Sequence, residues 1–116
     1  ILKYNSSGEE QWNVLSDNSV SLTDQSIPGL SMAFDNDNNI LVTGSGKIIK
    51  DKSVTHMMVD CYGKDGVLLW QTYFTKENNI PVATAMTTDG KGNIYVTGHI
   101  IGTKGFYDYC TVKFSR

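Results

Sequence analysis

At 116 residues the chain has the length of one ordinary domain, and its 40% hydrophobic and 10% aromatic residues suffice for a core and exclude a disordered tract. With 10 basic residues against 12 acidic ones, the formal net charge of −2 supplies no basic face of the kind that nucleic acid or an anionic membrane needs, so neither is an expected partner. The longest apolar runs, 67–70 and Ile48-Ile49, are too short to span a bilayer; no membrane insertion is expected, and no signal-peptide pattern is visible.

Residues 1–4 read as the end of a strand and 10–15 as the strand after it, joined through the stretch "YNSSGEEQW" from Tyr4 to Trp12. Four short strands follow at 30–35, 40–45, 54–62 and 67–74, where β-branched and aromatic residues alternate with polar ones and Gly, Asn and Asp clusters separate the runs. Within 40–45, Ile40, Val42 and Gly44 alternate with Leu41, Thr43 and Ser45, and both sets are largely apolar or small. A sheet packed between two neighbours requires such a strand. Gly44 and Gly98 suit a close approach of sheets or a bulge near a strand end. The run Asp35-Asn-Asp-Asn-Asn39 reads as a hairpin turn, since Asp and Asn bond their own backbone and tolerate positive φ.

From Tyr62 onward the pattern is written again. "YGKDGVLLW", ending at Trp70, repeats the Tyr, Gly and Trp of 4–12; Ile80-Pro81 repeats Ile27-Pro28, Met86 repeats Met32, and Asp89-Gly-Lys-Gly-Asn93 repeats the turn at 35–39. "NIYVTGH" at 93–99 restates "NILVTGS" at 39–45, about 54 positions later. The end of the run Tyr107-Asp-Tyr-Cys-Thr-Val-Lys-Phe114 matches residues 1–4, and the first tryptophan-to-Ile-Pro connection is about five residues longer than the second, an insertion that belongs in a loop. No segment carries a capped helical spacing, so no helix is expected.

Four antiparallel strands per unit of about 50 residues, without helix, predict an all-β fold of β-propeller blades. The segment 1–116 is expected to hold about two blades: 1–15 as the end of a preceding blade, 30–74 as a complete four-stranded blade, and 83–114 as three strands of the next. Propellers close with about four to eight blades, so two units do not close alone. The expected partners are neighbouring blades of the same chain or other copies of it. A piece of a longer array is expected in preference to self-assembly, in which strand 10–15 of one copy would complete the blade 83–114 of another and the stub 1–4 would be redundant.

Ala83-Thr-Ala-Met-Thr-Thr-Asp89, Gly92-Asn-Ile-Tyr-Val-Thr-Gly98, the strand 107–114 and the Gly-to-Trp turn together resemble the bacterial and archaeal β-propeller repeat often labelled SBBP, in two tandem copies that cover nearly the whole chain. The first copy departs from it where Val54-Thr-His-Met-Met-Val-Asp-Cys61 replaces the tyrosine-rich strand. The resemblance implies a propeller segment of a large, repeat-rich protein that is extracellular or at the cell surface, with no shared set of catalytic residues.

Four residues are candidates for ligand binding. Trp12 and Trp70 are equivalent aromatics that could stack on sugar faces, although packing between blades is the simpler role. Tyr95 and His99 stand where the first copy has Leu41 and Ser45, and such differences between copies are where function is sought first. Asp35-x-Asp37-x-Asn39 begins like a calcium loop, but Ile40 stands where glycine is needed and Lys91 replaces the middle acid in the second copy, so a hairpin turn is expected and no metal or other cofactor. Cys61 and Cys110 lack metal or redox spacing and read as small buried hydrophobes; a disulfide is left to geometry. His56, His99, Asp60 and Asp108 form no local catalytic spacing, and Asp35 and Asp89 are turn residues. A non-enzymatic scaffold or protein- or glycan-binding surface of a secreted or cell-surface protein is therefore expected. The alternatives are a lectin-like module, self-assembling or not, in which weak sites add, and behind it a propeller hydrolase or lyase with paired carboxylates.

Overall fold

The computed structural model describes residues 1–14, 20–21, 31–48 and 54–115. Their regular structure is all β: β1 (Leu2–Tyr4), β2 (Glu10–Asn13), β3 (Val20–Ser21), β4 (Ser31–Phe34), β5 (Ile40–Ile48), β6 (Thr55–Tyr62), β7 (Leu68–Phe74), β8 (Ile80–Thr88), β9 (Ile94–Ile101) and β10 (Tyr107–Phe114). Three antiparallel sheets result. β1 pairs with β2; β4, β5, β6 and β7 form a central meander in that order; β8, β9 and β10 form a third sheet. This is blade architecture, a central four-stranded meander to which β3 adds a fifth strand on the edge of β5, flanked by smaller sheets.

The hairpins follow from their turn residues. Asp35 Oδ1 accepts from the backbone N–H of Asp37 (2.9 Å) and Asn39 (2.8 Å), while Asn39 Nδ2 donates to Asp35 Oδ2 (2.9 Å). Asp89 does the same with Lys91 (2.8 Å) and Asn93 (2.9 Å), and Asn93 Nδ2 donates to Asp89 Oδ2 at 2.7 Å. Equivalent residues Asn38 and Gly92 take positive φ, 61° and 82°, which explains why the fourth turn position is Asn in one copy and Gly in the other.

The duplicated Val-Thr-Gly also has a structural reason. Thr43 Oγ1 donates to the Met58 carbonyl (2.6 Å) and Thr97 Oγ1 to the Cys110 carbonyl (3.4 Å), each reaching the same place on the following strand. Thr43 is fully buried, so this bond removes the penalty of enclosing a hydroxyl.

Strand bounds differ from the sequence reading in instructive ways. The strand expected at 10–15 is Glu10–Asn13, and Leu15, Ile27, Pro28 and Leu30 lie outside the described residues. β5 runs on to Ile48, because its far half pairs with β3, Val20 opposite Ile48 and Ser21 opposite Lys47. β4 begins with Ser31 opposite Thr43, so among the described residues the two strands share the same edge of β5 at different points along it. The longer first connection is thus not wholly loop. β8 starts at Ile80 rather than 83 and includes Pro81, which is tolerated because β8 is an edge strand.

The core lies between the central sheet and β8–β10. Leu41, Met57, Val59 and Cys61 on one face meet Ala83, Ile94 and Val96 on the other, flanked by Trp70, Phe74, Met86, Val112 and Phe114. The alternation places Cys61 with Met57 and Val59, all fully buried. Two serines cross the interface: Ser45 Oγ accepts from the Ala83 N–H (2.7 Å) and Ser31 Oγ from the Met86 N–H (3.1 Å). The first bond satisfies a backbone donor at the β8 bulge between Ala83 and Ala85.

Candidate functional site

The β1–β2 hairpin meets the central sheet at the turn 63–66, which joins β6 to β7. There the Trp12 indole N–H donates to the Lys64 carbonyl (2.9 Å), and Lys3 Nζ donates to the same oxygen at 3.0 Å. A carbonyl has two acceptor positions, so one oxygen serves both. Lys3 Nζ also stands 5.8 Å from the Trp12 ring centroid, within cation–π range. Gly66 has φ 85°, and a Cβ there would come within 2.9 Å of Trp12 Cδ2, so the indole lies against bare backbone. Trp12 is therefore held by packing and hydrogen bonding to the next sheet.

Trp70 occupies the equivalent position on β7, half-buried beside the shared core. It lines a cleft of about 400 Å³ with Thr72, Ile94, Lys113, Phe114 and Ser115. Tyr62 pairs with Ile40 and Phe114 pairs with Ile94, so the ends of β6 and β10 correspond. Trp70 stands beside the end of β10 as Trp12 stands beside the end of β6.

Tyr95 and His99 share the face of β8–β10 that turns away from the central sheet. Tyr95 donates its hydroxyl to Asp89 Oδ2 (3.2 Å), and Lys113 Nζ lies 5.7 Å from its ring centroid. The His99 ring meets Tyr107 at 5.3 Å. Cross-strand register places Tyr95, Thr97 and His99 opposite Lys113, Thr111 and Tyr109. The corresponding central-sheet positions are Leu41, Thr43 and Ser45 opposite Cys61, Val59 and Met57, which are buried. What is a dry interface in one sheet is thus a face of tyrosines, threonines, a histidine and a lysine in the next, with Tyr107 and Tyr109 exposed. The four candidate residues occupy three separate places, and only Tyr95 and His99 come onto one surface.

The remaining candidates disperse. His56 is buried on the central-sheet face opposite the shared core, edge-on to Tyr73 at 5.0 Å, so both sheets separate it from His99. Asp60, on the same face as His56, accepts from Gln71 Nε2 (2.8 Å) and lies 3.4 Å from the Tyr62 hydroxyl; burial raises its pKa and these bonds oppose the rise. Asp108 is an exposed β10 residue. Asp35 and Asp89 hold their own turns, which lie side by side, Asn36 Nδ2 donating to the Gly90 carbonyl at 3.4 Å. Among the described residues, no three His, Cys, Asp or Glu side chains converge as a metal site. Burial pushes the Cys110 thiol pKa up, which disfavours the thiolate that metal binding or nucleophilic chemistry needs.

Sequence reasoning marked Ser45 only as the counterpart of His99, and missed that Lys3, Ser31 and Ser45 join one sheet to another. Lys3 had a signal, being in register with Lys113 in Leu-Lys-Tyr and Val-Lys-Phe. The serines had none, because their partners are backbone N–H groups distant in sequence.

Residues 69–106 match the family model of the SBBP beta-propeller repeat. The matched stretch runs from β7 through β8 and β9 to the turn before β10, so the sequence unit begins in one sheet and continues in the next. Neither the curated proteins nor the solved structures gave a match.

Proposed function

Since residues 69–106 carry a beta-propeller repeat of the SBBP family, we propose that the chain is a non-enzymatic propeller segment of a secreted or cell-surface protein, in which stacked repeat sheets form a scaffold that presents binding surface to other proteins or glycans. The region before residue 69 is proposed as an earlier copy, supported by its duplicate turn at 35–39 and duplicate Thr43 bond. The observation that carries the reading is the sheet-to-sheet core: Leu41, Met57, Val59 and Cys61 are fully buried in one cluster with Ala83, Ile94 and Val96 of β8–β10. Burying such side chains contributes on the order of 2 kcal/mol each. Exposed apolar and aromatic side chains remain on the outer faces, Met32, Phe34 and Tyr73 on the central sheet and Tyr107 and Tyr109 on the last.

A lectin-like module is the second reading, favoured by the aromatic and hydrogen-bonding face around Tyr95 and His99. The Trp12 indole lies against Gly66 and bonds Lys64, so sugar stacking would fall to Trp70, Tyr95, Tyr107 and Tyr109. A broad glycan array probed with the full chain, followed by tyrosine and tryptophan fluorescence titration, separates the two. No glycan-dependent signal across the array would overturn the lectin reading and leave a scaffold that binds other proteins or none, whereas saturable binding abolished by Tyr109→Ala would establish the lectin in its place. Surface labelling of intact source cells should tag the parent protein; a parent labelled only after lysis would contradict the proposed location.

A further inference from the structure

The β1–β2 hairpin shows how one sheet grips the next: a lysine on the third-strand position and a tryptophan on the fourth share one turn carbonyl, that of Lys64. The lysine has a counterpart. Leu-Lys-Tyr at 2–4 is in register with Val-Lys-Phe at 112–114, and the central sheet has Cys61 at that position. Both lysines lie over an aromatic ring of their own sheet, Lys3 over Trp12 at 5.8 Å and Lys113 over Tyr95 at 5.7 Å. Lys3 faces the turn of the sheet in front of it. Lys113 faces outward from β8–β10, among Tyr95, Thr97, Tyr109 and Thr111.

We infer that the outward face of β8–β10 docks a further propeller-repeat sheet, and that Lys113 there donates to the backbone carbonyl of that sheet's third-to-fourth-strand turn, as Lys3 donates to Lys64. The inference rests on the scaffold reading and extends an interface already present in the chain. The occupant is a repeat whose turn resembles 63–66, with a carbonyl at the place of Lys64 and a glycine at that of Gly66, because a side chain there meets the clamping indole. The polar character of the face fits this role. Tyrosine and threonine keep hydrogen-bonding groups at the contact, and an ammonium on a turn carbonyl is a charge-assisted bond that sets register as well as strength. A face built for burial against a second dry core would carry apolar residues, as Leu41, Met57 and Val59 do.

The test compares two proteins: the 116-residue chain, and the same chain extended after Phe114 by a copy of residues 63–114 and then 63–74, which supplies a following repeat sheet with its own turn. Thermal midpoints are measured for each with Lys113, K113M and K113R. The extension should raise the midpoint, and K113M should lower it more in the extended protein than in the original by about 2–4 °C, with K113R recovering most of the difference. Equal effects of K113M in both proteins would overturn the clamp while leaving sheet stacking intact. An extension that brings no rise and melts as a separate transition would overturn stacking itself, and the clamp with it.

Discussion

The smallest decisive units are single polar atoms with assigned partners. Asp89 holds its turn through Asn93, Lys91 and the Tyr95 hydroxyl, and these bonds, that of the Asn93 side chain foremost, lower its pKa from 3.8 to about 2. A depressed acid pKa stabilises the fold above the unfolded-state value and loses that effect as pH falls through the folded-state value, here between 3.8 and about 2. D89N places an amide N–H₂ where Oδ2 accepted and should be less stable than wild type in urea at pH 6, with the gap closing as pH approaches 2. A gap constant across that range would show that the charge has no such role. Asp60 acts with the opposite sign: burial raises its pKa, so acidification favours its folded form. The turns were legible in sequence because Asp at the first position and Asn at the fifth bond locally. The acceptor of Trp12 was not legible, since it is a main-chain oxygen 52 residues away.

Among the elements, β8 shows most about how the repeat joins sheets. Its bulge between Ala83 and Ala85 frees the Ala83 N–H for Ser45, and Gly98 on β9 makes room for it: a Cβ there would strike the Val82 carbonyl oxygen and crowd Ala83. G98A should therefore destabilise the chain by roughly 1–3 kcal/mol, the range for overpacking a tight site. G90A, at a turn position with open space around it, is the control and should stay within about 0.5 kcal/mol in the same denaturant titration. Equal effects would mean that the bulge imposes no glycine requirement. The glycine and its association with a close approach could be read from sequence, as could the meander 31–74. β3 could not: Val20-Ser21 is too short to alternate, and its partner is the far end of β5, distant in sequence. Nor did the linear pattern distinguish a dry face from a polar one, because Leu41 and Tyr95 occupy the same strand position in near-identical motifs.

At the scale of the whole molecule, the central sheet and β8–β10 bury one face each against the other. The matched unit 69–106 spans two sheets, the core is shared between them, and Ser31, Ser45, Trp12 and Lys3 hold one sheet to another. Repeat arrays of this kind derive stability from nearest-neighbour contacts. If that holds here, damage to the central sheet must be felt in β8–β10. The direct measurement is native-state hydrogen exchange of the full chain with and without Leu41→Ala, a substitution expected to remove about 2–5 kcal/mol from the core. The account predicts that amides of β9 (Ile94–Ile101) lose protection together with those of β5 and β6. Faster exchange confined to the central sheet, with β9 unchanged, would contradict it.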